Sequence, residues 1–197
     1  MNKKILLVDN FDSFTYNLYQ LLYSTVDSEI EVVRNNELTQ EHILMSDAVV
    51  ISPGPGLPKE TNNLIVLAEQ IIFQKPTLGV CLGHQLLAEY FGAELVNLSK
   101  VYHGIARKTL IQEENSLMYR DFNKSFEAGS YHSWTVKKET NIPDFIVNAR
   151  DVNNEIMSFT HRELPVWGVQ YHPESILTPT GRKLIKNWFN YLTKHCW

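Results

Sequence analysis

The chain has 197 residues, a hydrophobic fraction of 44% and a formal net charge of −4 at pH 7. This length and composition predict one globular domain, residues 1–197. The mild charge argues against nucleic acid as a main partner, and the lack of an apolar run of about 18 residues argues against a membrane. The two cysteines, Cys81 and Cys196, do not suggest a disulfide framework, and the N terminus does not read as a signal peptide. We therefore expect a cytoplasmic protein.

The first half of the chain alternates between strand and helix patterns. Short apolar runs predict strands at residues 5–8, 30–33, 48–51 and 77–80. Apolar residues at helical spacing predict helices at residues 13–23, 39–45, 63–73 and 84–91. This alternation predicts a parallel sheet with helices on both faces.

The second half is richer in strands. Candidate strands cover residues 105–111, 126–130, 145–149, 156–160 and 166–169. Helical spacing returns after Pro179, with an apolar stripe formed by Leu184, Ile185, Trp188, Phe189 and Leu192. The sequence therefore predicts an α/β fold: a single open, mostly parallel, flavodoxin-like sheet flanked by helices, with a small antiparallel extension.

Cys81 lies where a strand pattern turns at once into a helical pattern. The stretch from Thr77 to Gln85 reads Thr-Leu-Gly-Val-Cys-Leu-Gly-His-Gln, the layout of a nucleophile elbow, in which a sharp turn presents the nucleophile. Gly79 and Gly83 suit a tight turn, and the N terminus of the following helix favours the reactive thiolate. Because a lone cysteine after a strand usually belongs to the core, Cys81 needs further support.

A base and its orienting partner lie in the sequence Gly-Val-Gln-Tyr-His-Pro-Glu-Ser at residues 168–175. Pro173 pushes His172 into an extended conformation, and residues i and i+2 of an extended chain point to the same side. Glu174 can therefore accept a hydrogen bond from one ring nitrogen of His172 while the other nitrogen faces Cys81. Alone, His-Pro-Glu is usually a turn, but here it follows a predicted strand, and parallel strand ends can converge on one crevice.

A third loop, Ser-Pro-Gly-Pro-Gly-Leu-Pro at residues 52–58, follows the predicted strand at residues 48–51. Because proline has no N–H group, Gly54 and Gly56 must supply the donors of this rigid loop. Beside a nucleophile, such a loop can form an oxyanion hole together with the N–H group of Leu82. Each motif alone has an ordinary explanation, and their joint occurrence at three strand ends favours a catalytic site.

Six motifs carry a family resemblance. Cys-Leu-Gly-His-Gln at residues 81–85, His-Pro-Glu at 172–174 and Ser-Pro-Gly-Pro-Gly at 52–56 resemble the signatures of class I (triad) glutamine amidotransferases. The remaining three narrow the resemblance to the glutaminase components of anthranilate synthase and 4-amino-4-deoxychorismate synthase. They are Asp-Asn-Phe-Asp-Ser-Phe-Thr-Tyr-Asn at 9–17, Ser-Tyr-His-Ser at 130–133 and Glu-Ser-Ile-Leu at 174–177. The resemblance covers about residues 5–190.

The resemblance implies hydrolysis of the side-chain amide of L-glutamine. Cys81 then attacks the carboxamide carbon, and His172, oriented by Glu174, transfers the protons. The N–H groups of Gly56 and Leu82 hold the oxyanion. The glutamine-binding residues implied by the resemblance are Gly54, Pro55, Gly56, Gln85, Ser133 and Trp134. Alone, Gln85 would read as an exposed helix residue. No cofactor and no metal are implied, and the histidines lack zinc-like spacing.

The resemblance also implies a larger synthase subunit, which binds chorismate and receives the ammonia inside a heteromeric complex. We expect residues 9–12 and 103–104 to face this partner, and weak glutaminase activity until it docks. Three residues depart from the family pattern: Ile105 stands in place of lysine, Ser130 in place of arginine, and Trp134 in place of leucine. The first two bear on docking and the third on the shape of the pocket.

Two other functions stay open at this point. One is an independent Cys-His-Glu hydrolase, such as a γ-glutamyl peptidase, against which the motif at residues 9–17 speaks. The other is a non-catalytic flavodoxin-like binding module, against which the intact triad speaks. Within the leading interpretation, Asn-Leu-Tyr-Gln at residues 17–20 favours 4-aminobenzoate (folate) over anthranilate (tryptophan) synthesis, although one subunit can serve both. We expect His84 and His132 to have structural roles.

Overall fold

The computed structural model describes residues 3–140 and 142–196. Its strands, in chain order, are β1 (Lys4–Asp9), β2 (Glu29–Arg34), β3 (Ala48–Ile51), β4 (Thr77–Val80), β5 (Leu95–Asn97), β6 (Ile105–Ile111), β7 (Ser125–Ser130), β8 (Trp134–Val136), β9 (Phe145–Asp151), β10 (Ile156–His161) and β11 (Val166–Val169). Its α-helices are α1 (Thr15–Tyr23), α2 (Gln40–Leu44), α3 (Asn63–Gln74), α4 (Leu82–Tyr90) and α5 (Gly181–His195). Short 3-10 helices cover Pro58–Glu60 and Leu117–Tyr119. Within the described residues, no helix has the length and apolar character needed to cross a membrane.

Nine strands form one mixed sheet in the order β2-β1-β3-β4-β11-β10-β9-β6-β7. The first five are parallel, because β1 pairs in parallel with β2 and β3, and β4 pairs in parallel with β3 and β11. The other four continue the sheet through antiparallel pairs. The predicted α/β architecture, a mostly parallel sheet with an antiparallel extension, is therefore confirmed.

Apolar side chains pack against both faces of the sheet. Because successive residues of a strand point to opposite faces, Leu7 of β1 belongs to a cluster with Trp188 of α5, whereas its neighbour Leu6 packs with Leu64 of α3. The short parallel strands β3 and β4 are buried along their whole length. This explains why they read as continuous apolar runs rather than as alternating patterns.

One pair of strands was missed by the sequence analysis. β5 and β8 form a separate antiparallel ribbon in which Asn97 lies opposite Trp134 and Leu95 lies opposite Val136. Each strand is only three residues long, too short for an alternating pattern to be recognised. The ribbon matters for the site because it holds the segment that follows Ser133.

The carboxyl ends of β1, β3, β4 and β11 lie at one edge of the sheet, because these strands are parallel. The residues that follow them are Asn10, Ser52, Cys81 and Gln170, respectively. Ligands of open α/β sheets bind at this edge. The fold thus brings together segments that lie far apart in the sequence.

Candidate active site

Cys81 occupies the turn between β4 and α4 with φ 51° and ψ −98°. A non-glycine residue in such a sparsely populated region costs about 1–3 kcal/mol and persists only where its surroundings hold it. Here the Cys81 N–H group donates to the carbonyl of Val169 at 2.8 Å, and the Cys81 carbonyl accepts from the Gln85 N–H group at 3.0 Å. The turn is therefore tied both to the neighbouring strand and to the first turn of the helix.

The two glycines around Cys81 allow strand and helix to approach closely. A Cβ atom on Gly83 would lie 2.6 Å from the carbonyl oxygen of Ile51, and one on Gly79 would lie 2.5 Å from the backbone of Gly83. Real Cβ atoms do not come this close to backbone atoms. The packing of α4 on β3 and β4 consequently requires glycine at both positions, as the elbow motif predicts.

His172 and Glu174 form a buried pair. The Nδ1 atom of His172 lies 2.6 Å from the carboxylate of Glu174, and the two side chains are only 2% and 0% exposed. The backbone of His172 is held by the carbonyl of Gly129 at 3.0 Å and by the hydroxyl of Thr178 at 2.6 Å. The i, i+2 arrangement predicted for the extended chain around Pro173 is therefore the one that the structure has.

The charge state of His172 is set by its neighbours. Burial on its own would lower the pKa of this imidazole, but the interactions with Cys81 and Glu174 outweigh it and raise the pKa of His172 to about 10. Its Nε2 atom has no partner in full hydrogen-bond geometry within the described residues, but Cys81 still contributes most to the rise, first through hydrogen bonding and then through charge, followed by Glu174. At neutral pH the imidazole is protonated and can act as a proton donor.

A cavity of about 140 Å³ opens beside Cys81. The residues that line it are Gly54, Pro55, Gly56, Cys81, Gln85, Tyr131, His132, Ser133 and Trp134. All six residues for which the family resemblance implied glutamine contacts belong to this set. His172 and Glu174, which the sequence predicts to be catalytic, are not in the lining, and neither is Leu82.

The two sequence-predicted oxyanion donors lie in different surroundings. Gly56 lines the cavity, has φ +76° and lies so close to the Glu60 carboxylate that a side chain would collide with it. Leu82 is the first residue of α4, where backbone N–H groups have no acceptor within the helix. The Leu82 N–H group thus has no acceptor within α4, while its side chain is buried against Gly54.

The loop that carries Gly54 and Gly56 is braced from β1. The N–H group of Asn10 donates to the Ser52 hydroxyl, and the Asn10 side-chain amide donates to the Ser52 carbonyl, both at 2.9 Å. A Cβ atom on Gly54 would lie 2.6 Å from the Cβ atom of Asn10. A second amide, from Asn35, donates to the Asn10 side chain at 2.9 Å. Asn10 of the opening motif therefore supports the loop that borders the cavity.

Two residues of the site were given no role by the sequence analysis. Tyr131 lines the cavity, and its ring lies 4.8 Å from the His172 ring. Gln170 is completely buried, and its amide nitrogen lies 3.6 Å from the sulfur of Cys81. Tyr131 directly precedes His132, and Gln170 lies two residues before His172. This closeness to motif histidines is the sequence signal that could have identified both residues.

His84 and His132 are buried neutral histidines, as expected of structural residues. Burial lowers the pKa of His84 to about 3, and its ring packs on Phe159 at 4.6 Å. Burial, followed by the nearby charge of Arg107, lowers the pKa of His132 to about 4. At neutral pH each imidazole therefore carries only one of its two possible ring protons and lacks the second, which an acid catalyst would give up. Within residues 3–140 and 142–196, no group of three His, Cys, Asp or Glu residues is arranged to hold a metal ion.

The departures from the family pattern fall in three different environments. Trp134 lines the cavity, and its carbonyl accepts from Gln85 at 2.7 Å and lies 3.0 Å from His132 Nδ1. Its carbonyl is therefore already engaged within the protein. Ser130 is completely buried, whereas Ile105 is 39% exposed. Neither Ser130 nor Ile105 lines the cavity.

Comparison with known proteins identifies the family. The model of the glutamine amidotransferase class-I family matches residues 6–192. This chain belongs to the class-I glutamine amidotransferases. A glutamine amidotransferase of Thermotoga maritima, of known crystal structure, shares the fold with a TM-score of 0.72 at 16% identity, covering 98% of this chain and 84% of that one.

Curated relatives that are similar over most of this chain are named as synthase components. "Aminodeoxychorismate synthase component 2" of Serratia marcescens is 42% identical over 94% of this chain and 99% of its own length. "Aminodeoxychorismate/anthranilate synthase component 2" of Bacillus subtilis strain 168 is 38% identical over 96% of this chain and 97% of its own length. The chain spans about a third of a further relative, the "Bifunctional protein TrpGD" of Thermotoga maritima, at 38% identity over 95% of this chain and 32% of that protein.

Proposed function

We propose that this chain is the glutaminase component of a chorismate-using synthase. It hydrolyses L-glutamine through Cys81, His172 and Glu174 and passes the ammonia to a larger synthase subunit in a heteromeric complex. The observation that carries the proposal is the interaction of Cys81, in a strained turn, with a buried His172–Glu174 pair beside a cavity lined by the Gly54–Gly56 loop. The names of the relatives, component 2 of aminodeoxychorismate and anthranilate synthases, support this proposal.

The first half of the reaction forms a thioester. The Cys81 thiolate attacks the carboxamide carbon of glutamine, and the carbonyl oxygen becomes an oxyanion held by the N–H groups of Gly56 and Leu82. The protonated His172 then gives its proton to the amide nitrogen. The C–N bond breaks, ammonia leaves, and a γ-glutamyl thioester remains on Cys81.

The second half restores the enzyme. His172, now neutral, takes a proton from water, and the resulting hydroxide attacks the thioester carbon. The C–S bond breaks, and glutamate leaves the Cys81 thiolate beside a protonated His172. Glu174 keeps the imidazole in one orientation and stabilises its protonated form throughout. The net change is glutamine plus water to glutamate plus ammonia.

The cavity supports glutamine as the substrate. Gln85 and the loops containing Gly54, Pro55, Ser133 and Trp134 surround the space next to the Cys81 sulfur. The volume of about 140 Å³ equals the liquid share of roughly five water molecules, which suits one small substrate. Glutamine therefore enters with its carboxamide toward Cys81 and its amino-acid end toward the loop that carries Ser133.

The partner is expected at the same edge of the sheet. Phe11 of the opening motif is 50% exposed, and His103, whose ring packs edge-on against Tyr131 at 5.5 Å, is also exposed. A synthase subunit that covers this edge can receive ammonia before it becomes ammonium. A free thiol nucleophile fits a reducing cytoplasm. The relatives do not favour a stand-alone γ-glutamyl peptidase or a non-catalytic module.

The pathway is tested by measuring glutamate release from glutamine by the full chain, alone and with each candidate synthase subunit plus chorismate. We expect weak release by the chain alone and stimulation of at least about tenfold by the true partner. Stimulation by an aminodeoxychorismate synthase alone assigns the chain to 4-aminobenzoate synthesis, and stimulation by both synthases assigns a shared subunit. Equal release with and without every synthase subunit would contradict the proposed complex.

A further inference from the structure

Gln170 is a buried polar residue next to the nucleophile, and the reaction described above gives it no role. It directly follows β11, whose last residue, Val169, accepts the N–H group of Cys81 at 2.8 Å. The N–H group of Gln170 itself donates to the carbonyl of Met157 at 2.9 Å. The backbone is thus fixed between β4 and β10, and the side chain is 0% exposed.

The side-chain amide of Gln170 links two residues of the site. Its Nε2 atom lies 3.6 Å from the Cys81 sulfur, within the range of an N–H···S hydrogen bond. Its Oε1 atom accepts from Nε2 of Gln85 at 3.2 Å. The same Nε2 atom of Gln85 also donates to the Trp134 carbonyl at 2.7 Å. Two amides in series therefore connect the wall of the cavity to the sulfur.

This chain of hydrogen bonds fixes the orientation of the Gln85 amide. An amide NH₂ group has two protons, and those of Gln85 are directed at Gln170 and Trp134. Within residues 3–140 and 142–196, no side-chain or backbone donor is bonded to Oε1 of Gln85. Because Gln85 lines the cavity, its oxygen is the polar atom that it offers to a bound molecule. That oxygen can accept a hydrogen bond from an N–H group of glutamine.

We infer that Gln170 is a positioning residue of the glutaminase reaction, which holds the attacking sulfur through its Nε2 donor and orients Gln85 through its Oε1 acceptor. The inference rests on the proposed function. A hydrogen bond to the sulfur stabilises its anionic form, which is the nucleophile. The amide provides both a donor and an acceptor at this place, whereas an ionised carboxylate lacks the donor and a thioether lacks both strong groups.

Alkylation of the sulfur tests the first half of the inference without substrate. In a Cys196→Ala background, Cys81 is the one remaining thiol of the full chain, so the rate of reaction with iodoacetamide reports on it alone. We expect Gln170→Met, which removes the donor without adding a charge, to move the midpoint of the pH profile of alkylation upward by about one pH unit or more. Gln170→Glu adds the repulsion of a carboxylate and moves the midpoint further in the same direction. A merely structural role would lower stability without moving this midpoint.

The matched control is Asn148→Asp. Asn148 is also a buried amide of the large sheet, 2% exposed, and it donates to Ser116 at 3.1 Å, away from the cavity. This variant makes the same amide-to-carboxylate change, and we expect it to keep the wild-type midpoint. Circular dichroism and urea unfolding confirm that each variant is folded. If Gln170→Glu fails to fold, Gln170→Met carries the test, because it keeps the length of the side chain and adds no charge.

Steady-state glutamate release, measured with the synthase partner, tests the second half. Gln170→Glu loses the donor to sulfur but keeps the acceptor for Gln85, so we expect kcat to fall at least about tenfold with KM within about threefold of wild type. Gln170→Met loses both groups, so kcat falls and KM for glutamine also rises.

Unchanged alkylation profiles and kcat values within about twofold in both Gln170 variants would overturn the inference. A rise in KM in Gln170→Glu as large as that in Gln170→Met would overturn its second half. If the wild-type protein releases no glutamate under any condition, the proposed function fails. The alkylation profiles would still decide whether Gln170 acts on the Cys81 sulfur, so the two failures can be told apart.

Discussion

At the scale of single residues, the site depends on how its surroundings set the charge of His172. This imidazole is buried, which opposes its protonation, yet Cys81 and Glu174 hold its pKa at about 10. The ordinary value for histidine is about 6.5. His84 and His132, also buried but without a carboxylate partner, have pKa values lowered to about 3 and 4. The interactions with Cys81 and Glu174, rather than burial, therefore separate His172 from the two neutral histidines.

Replacing Glu174 with glutamine tests this account through pH dependence. Removing the carboxylate takes away part of the stabilisation of the protonated ring, so the pKa of His172 falls by about 1–3 units. We expect the alkaline limb of kcat/KM to move to lower pH by that amount, measured as glutamate release between pH 6 and 10.5. The control is Glu127→Gln on the exposed side of β7, which makes the same charge change outside the site.

The same substitution changes the pH dependence of stability. In the folded chain the pKa of His172 is raised above its unfolded value, so its contribution to the free energy of unfolding is complete below about pH 6.5. That contribution is lost as the pH rises through about 10. We expect urea unfolding to show this loss between pH 7 and 10 in the wild-type protein and a smaller loss in Glu174→Gln. Identical slopes in both proteins would contradict the pairing.

At the scale of secondary-structure elements, the close contact of α4 with β3 limits which residues position 83 can accept. Gly83 touches this strand so closely that an alanine Cβ would lie 2.6 Å from the carbonyl oxygen of Ile51 and 2.8 Å from its Cβ atom. Alanine is the better helix former by about 1 kcal/mol, but overpacking costs about 1–3 kcal/mol. The rigid backbone of the strand cannot yield, so the cost outweighs the gain.

Gly83→Ala is therefore expected to lower the free energy of unfolding by up to about 2 kcal/mol and to reduce glutaminase activity, because the helix that carries Gln85 shifts. Urea unfolding and glutamate release measure the two effects. Gly92→Ala is the control. Gly92 has φ +89° and no atom within 4 Å of an added Cβ, so it tests backbone strain alone and should leave kcat unchanged. Equal losses of activity in both variants would argue against the packing explanation.

Also at the scale of elements, most strands and helices could be predicted from the sequence, because the apolar patterns that indicate them lie within each element. Buried parallel strands such as Ala48–Ile51 and Thr77–Val80 appear as apolar runs with the bounds found in the structure. The ribbon of Leu95–Asn97 and Trp134–Val136 was missed, because two strands of three residues are stabilised by pairing with each other rather than by their own pattern. The start of α5 at Gly181 lies two residues after the predicted Pro179.

At the scale of the whole molecule, the site joins the two halves of the chain. The parallel half supplies Cys81 and the Gly54 loop, and the turn between β7 and β8 supplies Ser133. Motifs and a family resemblance predicted residues that the structure places in the lining of the cavity, among them Gly54, Gln85 and Ser133. They could not predict that Gln170 connects Gln85 to the sulfur, since this contact joins positions 85 residues apart through side-chain geometry that has no local signal.

The most direct test of the account is glutamate release from glutamine by the wild-type chain and by Cys81→Ser, each folded and each with the synthase partner and chorismate. The account predicts release by the wild type and a loss of at least about 10³-fold in the variant, because the serine hydroxyl is a far weaker nucleophile than a thiolate. Cys196→Ser should keep full activity. Full release by Cys81→Ser, or none by the wild type with its thiol reduced, would contradict the central claim.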